Sequence, residues 1–149
     1  MCQPIFKLPH LQIFKLANCH IFRTFANNWK HNYHCMKIKE IAELLDAKII
    51  CGGEHSESEV EKAFASDLMS DVLRLKTENV ILLTGLCNVQ TIRTCEMGDI
   101  NFILLVRDKE ATEDMIELAE DNDMVILQTS YSLFKASGIL YGKGLSPIF

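Results

Sequence analysis

The side chains best suited to chemistry in this chain are hydroxyls, carboxylates and one arginine, each placed just after an apolar run. They are Ser66-Asp67, Thr84-Gly85-Leu86, Arg107-Asp108 and Thr129-Ser130-Tyr131. If each run is a parallel strand, these positions share the carboxyl rim of one sheet, where open α/β sheets bind their ligands. Each also leads toward a helix start, whose free N–H groups and dipole favour an anion. The expected site is therefore Ser66, Asp67, Thr84, Gly85, Asn88, Arg107 and Thr129 around a phosphate or carboxylate, with Arg107 as the cation. Asp67 and Asp108 oppose an anion unless they hold a Mg²⁺ beside it or cap helices. The plainer alternative stays open: the hydroxyls and Asn88 are helix caps, and Gly85 serves a tight turn.

Catalytic signatures are largely missing. A phosphate-binding P-loop needs G-x-x-x-x-G-K-[ST] between a strand and a helix. The nearest string, Gly138 to Gly144, is one residue short and lacks the hydroxyl. No G-x-G-x-x-G occurs, and His55 is the only histidine after Met36, in a polar loop. Cys87 follows Gly85 near a helix start, a position that lowers a thiol pKa; the alternative is a small core filler. The cysteines at 2, 19, 35, 51, 87 and 95 form no C-x-x-C pair. They are expected to be reduced and metal-free. Cys19, His20, His31, His34 and Cys35 offer zinc-ligand chemistry, but without the usual paired spacing. No cofactor is expected beyond an adenine nucleotide as ligand.

These residues need elements to position them. Ile38, Ile41, Ala42 and Leu45 make one face of an amphipathic helix. A strand over 48–51 follows, ended by Gly52-Gly53, then a polar loop and an extended segment over 60–65. Ser66 or Asp67 is placed to cap a short helix through Leu75. Apolar runs at 80–83, 102–106 and 125–127 then recur at the spacing of a βα unit. They are continuous, as in parallel strands buried on both faces. Helical patterns follow each: Val89, Ile92 and Cys95; Met115, Leu118 and Ala119; Leu133, Phe134, Ser137 and Leu140. Asn88, Thr112 and Thr129 or Ser130 are the expected N-caps. The expected fold is α/β: a single domain with an open, mostly parallel sheet and flanking helices, in two or three layers.

Charge divides the chain. Residues 1–35 hold Lys7, Lys15, Arg23 and Lys30 and no acid, a net +4; the remainder has 11 basic against 20 acidic residues, a net −9. So acidic a body repels phosphate backbones, and no nucleic-acid partner is expected. No apolar run approaches the roughly 18 residues that span a bilayer, so no membrane association is expected. Residues 1–35 match neither a secretory signal nor a transit peptide. They are expected to be an irregular N-terminal extension, disordered or upstream of a natural start at Met36.

The words Ala65-Ser66-Asp67-Leu68-Met69-Ser70-Asp71-Val72-Leu73, Leu82-Leu83-Thr84-Gly85-Leu86, Ile92-Arg93-Thr94 and Thr129-Ser130-Tyr131-Ser132-Leu133-Phe134 carry a resemblance. With Asn88, Gln90, Glu96-Met97 and Gly138-Ile139-Leu140-Tyr141, they resemble the DRTGG domain family and the related N-terminal domain of bacterial HPr kinases. The resemblance covers about residues 36–143. It implies a cytoplasmic, bacterial-type α/β regulatory domain over 36–145 that forms a homodimer. In some members, domains of this type sit beside CBS or acyl-transferase domains and act as regulatory modules. The implied role is a non-catalytic module that senses an adenine nucleotide or another small anion and docks on a partner enzyme. The alternatives are a structural adaptor without a ligand and, less favoured, a kinase-associated enzyme. Here Thr84-Gly85 continues into Leu86-Cys87-Asn88, so the rest of the signature, a T-G-G-like turn followed by a D-R pair, is replaced.

Overall fold

The computed structural model describes residues 33–149. A two-stranded ribbon pairs β1 (Met36–Lys37) with β3 (Glu59–Val60) antiparallel, with Met36 opposite Val60. Between them lie helix α1 (Ile38–Leu44), strand β2 (Lys48–Cys51) and a 3-10 turn at Gly53–His55. The chain continues as β4 (Lys62–Ala65), α2 (Met69–Val72), β5 (Val80–Thr84) and α3 (Val89–Met97). Then come β6 (Phe102–Leu105), α4 (Glu113–Asp121), β7 (Val125–Gln128), α5 (Leu133–Gly142) and β8 (Ser146–Pro147).

The main sheet has the order β2-β7-β6-β5-β4-β8. Every pairing is parallel except that of β2 with β7, where Lys48 lies opposite Gln128. The expected mostly parallel α/β architecture is thus the observed one. Alternation explains the continuous apolar runs. Ile81, Leu83, Leu104, Val125 and Leu127 face one core with Ile38, Ile41, Ala136 and Leu140. Leu82, Ile103, Leu105 and Ile126 face the other, with Val72, Ile92, Cys95, Met115 and Ala119. Along the central strand β5 neither face meets water, so its run is apolar up to the terminal Thr84.

The direction of the crossovers assigns the helices. From β4 to β7 each strand is laid beside the last in one direction, and right-handed connections keep α2, α3 and α4 on one face. The link from β7 to β8 runs back across the whole sheet, and α5 lies on the opposite face beside α1. The result is three layers.

Local details depart from expectation. Neither Ser66 nor Asp67 caps α2: the N-cap position is Leu68, with no side-chain cap bond. Ser66 Oγ accepts instead from the Leu68 N–H at 3.0 Å, and Asp67 turns toward the sheet. Asn88 and Thr112 cap α3 and α4 as expected. For α5 the cap is Ser132, not Thr129 or Ser130, because the Thr129 hydroxyl is drawn to Leu45 O at 2.7 Å. Phe134, expected on the core face of α5, is 91% exposed; Ala136 supplies that contact.

Candidate functional site at the carboxyl rim

β5 ends in Thr84, which is buried, and the next peptide belongs to Gly85. Asp67 follows β4 one strand away. Its Oδ1 accepts the Thr84 hydroxyl at 3.0 Å and the Gly85 N–H at 2.7 Å. Its Oδ2 accepts from the Arg107 guanidinium, which reaches over from the end of β6. One carboxylate, carried beyond β4, thus gathers a hydroxyl and a backbone N–H from the end of β5 and a guanidinium from beyond β6. Burial of the carboxyl works against its ionisation, but the Gly85, Arg107 and Thr84 donors outweigh it and hold the Asp67 pKa below its usual value.

Gly85 is required by the guanidinium. A Cβ there would lie 1.6 Å from Arg107 Nη2, so any side chain would push Arg107 aside. Arg107 and Asp108 are aimed by an uncommon backbone: both are left-handed, with φ of 64° and 55°. For non-glycine residues that conformation costs on the order of 1 kcal/mol each, and it persists where neighbours over-determine it. Here the Arg107 N–H donates to Tyr131 O at 2.9 Å and the Asp108 N–H to Thr129 O at 3.1 Å.

Of the expected site residues, Asp67, Thr84, Gly85 and Arg107 meet in this cluster. The other three are engaged otherwise. Asn88 Oδ1 caps α3 through the Thr91 N–H at 3.0 Å. Ser66 closes its own turn. Thr129, 3% exposed, ties β7 to the end of α1 through Leu45 O and receives the Tyr131 N–H at 3.2 Å. Asp67 is not an unpaired carboxylate at the rim, since Arg107 neutralises it.

Sequence reasoning reached the neighbouring crevice only in part, through Asp108, Thr129 and Ser130. After β6 the chain turns into α4 on one face, and after β7 into α5 on the other, so the rim opens between these two strands. Ligands of open α/β sheets favour this switch point. A crevice of about 540 Å³ lies there, lined by Asp46, Lys48, Asp108, Lys109, Gln128 and Ser130 among others. Its far wall comes from the antiparallel β2, a pairing without local sequence signature. A second cleft of about 430 Å³ runs between β4 and α5 and is apolar, with Phe64, Phe134, Tyr141 and Phe149 on its walls.

The remaining chemistry is reassigned. Cys87 does not have a lowered pKa: burial raises it, and its thiol donates to Glu110 O. Cys35, Cys51, Cys87 and Cys95 are free thiols, and among the described residues no His, Cys, Asp and Glu group could hold a metal ion. Cys19, His20 and His31 of the zinc-ligand reading lie outside the described residues. No described helix is long and apolar enough to cross a membrane.

The DRTGG domain family matches residues 40–141. The chain belongs to the DRTGG domain family. Among curated proteins, no relative matches it. A similar solved structure contains the CBS and DRTGG domains of the regulatory region of Clostridium perfringens pyrophosphatase, complexed with its activator diadenosine tetraphosphate. The two share 16% identity with a TM-score of 0.57, over 80% of this chain and 54% of that one. This chain therefore spans about half of that regulatory region. At this identity the likeness shows the fold, and the family match over residues 40–141 takes in the three-layer α/β unit from α1 to α5.

Proposed function

We propose that this DRTGG domain is a regulatory module that binds the phosphates of an adenine nucleotide at its carboxyl rim and acts as a homodimer on a partner enzyme. The observation that carries the reading is the convergence of Thr84, Gly85 and Arg107 at the ends of two neighbouring strands. A hydroxyl, a backbone N–H and a guanidinium are the donors a phosphate group uses. Asn88 flanks them at the start of α3, Ser66 and Asp67 lie on the neighbouring loop, and Thr129 lines the crevice beside β7. The crevice between β6 and β7 gives room for the rest of the ligand. Family membership and the activator held by the pyrophosphatase regulatory region support an adenine nucleotide.

The exposed aromatics of the apolar cleft, Phe134 at 91% and Phe149 at 92%, support association, since isolated domains seldom leave such groups grouped in water. Calorimetric titration of AMP, ATP and diadenosine tetraphosphate tests the ligand. Binding to wild type that weakens roughly tenfold in Arg107→Ala is the expected result. No heat with any of the three would leave the adaptor reading, in which the rim only holds strands together. Sedimentation showing only monomer at high concentration would remove the dimer.

A further inference from the structure

Asp67 is held as a ligand would be held. It is the side chain on which Thr84 Oγ1, Gly85 N and the Arg107 guanidinium converge, and it comes from a short loop rather than from the strands that carry those donors. We propose that these donors form an oxyanion site for a phosphate group, with Asp67 as a built-in competitor that a bound phosphate must displace. The inference rests on the phosphate-binding reading above and adds the competing group and the segment that moves.

Three features support it. The backbones that carry the donors are fixed independently of Asp67. Thr84 is buried at the end of β5, and Arg107 is aimed by a left-handed backbone tied to β7 through Tyr131 O. Asp67 itself sits at the surface, its side chain 37% exposed, so it can swing into water without breaking a core contact. The chain around it has two firm points. The Ser66 N–H is bonded to Leu83 O at 3.1 Å, and Val72 is buried at the end of α2. Between them lie residues 67–71, among them Leu68, 58% exposed. Expelling the Asp67 carboxylate changes the charge and shape of the surface beside the exposed Leu68, which gives the domain an output a partner can read. No covalent bond is made or broken; the hydrogen bonds to one carboxylate are exchanged for hydrogen bonds to one phosphate on the same donors.

The test is calorimetric titration of the full chain with inorganic pyrophosphate, in wild type, Asp67→Asn and Asp67→Asn/Arg107→Ala. Asp67→Asn keeps the shape and removes the competing charge. The expected result is a gain of roughly tenfold in pyrophosphate affinity over wild type, abolished in the double variant. Equal or weaker binding in Asp67→Asn overturns the proposal, as does no binding in either protein. Should Asp67→Asn fail to fold, wild type answers alone. Saturating pyrophosphate must then shift the Gly85 amide and the Asp67 carboxyl carbon in NMR spectra, and their staying unmoved overturns it. Titration with ATP separates the two ideas. If wild type binds ATP while Asp67→Asn gains nothing, the competitor idea fails and the nucleotide reading stands. If Asp67→Asn gains pyrophosphate binding while no adenine nucleotide binds either protein, the oxyanion site stands and the nucleotide fails.

Discussion

The Arg107 guanidinium lies over the backbone of Gly85, in the space a side chain there would fill, and from that position it meets the Asp67 carboxylate. The absence of a side chain at one residue thereby sets the reach of another from the next strand.

This relationship predicts non-additivity. Gly85→Val expels the guanidinium and should cost about 1 kcal/mol through the lost pair, small because both partners are more than a third exposed. Arg107→Ala should cost a similar amount. Since each change removes the same contact, the double variant should melt close to the worse single one. Additive losses in Tm would show that Arg107 and Gly85 act separately.

The acid limb of stability follows from Asp67. Its carboxyl is held below the usual range in the folded chain, so the unfolded chain takes up the proton first as pH falls. The stabilisation is present above the unfolded value of about 4 and is lost as pH drops through the lower folded value. Asp67→Asn should flatten that part of the melting curve against pH. Glu57, pulled down to about 2 by Lys37 and Lys39, should survive as a residual acid limb that Glu57→Gln removes.

Thiol labelling should sort the described cysteines by burial. In a Cys2→Ser/Cys19→Ser background at pH 8, the exposed Cys35 should react at once. Cys95, whose thiol burial pushes to about 12, should react only on unfolding. Burial also raises Cys51 and Cys87, and both should be slow. Prompt reaction of Cys87 would show that its bond to Glu110 O opens readily.

Both faces of β6 should be equally intolerant. Ile103 and Leu104 point to opposite cores and both are fully buried. Ile103→Ala and Leu104→Ala should each cost roughly 2–5 kcal/mol, read as a fall in denaturation midpoint. A mild effect at either position would mean that one helical layer is loosely packed.

The sequence by itself determined the strands and helices from β4 to α5, since buried parallel strands demand unbroken apolar runs and amphipathic helices between them. It also determined which residues reach the rim, because strand ends are local features: Asp67, Thr84, Gly85 and Arg107 were legible from position alone, as were the caps Asn88 and Thr112. What these side chains do there was decided by the tertiary structure. Asp67 reads locally as a helix cap, but the donors that claim it come from residues 17, 18 and 40 positions away. Thr129 likewise reads as a cap until the end of α1 arrives beside it, 84 positions distant. The antiparallel edge strand β2, and with it the crevice beside β7, depend on a pairing between Lys48 and Gln128 that neither segment encodes alone. Propensity and periodicity act within a few residues, whereas a carboxylate chooses among all donors that folding brings within reach, and that choice exists only once the strands are side by side.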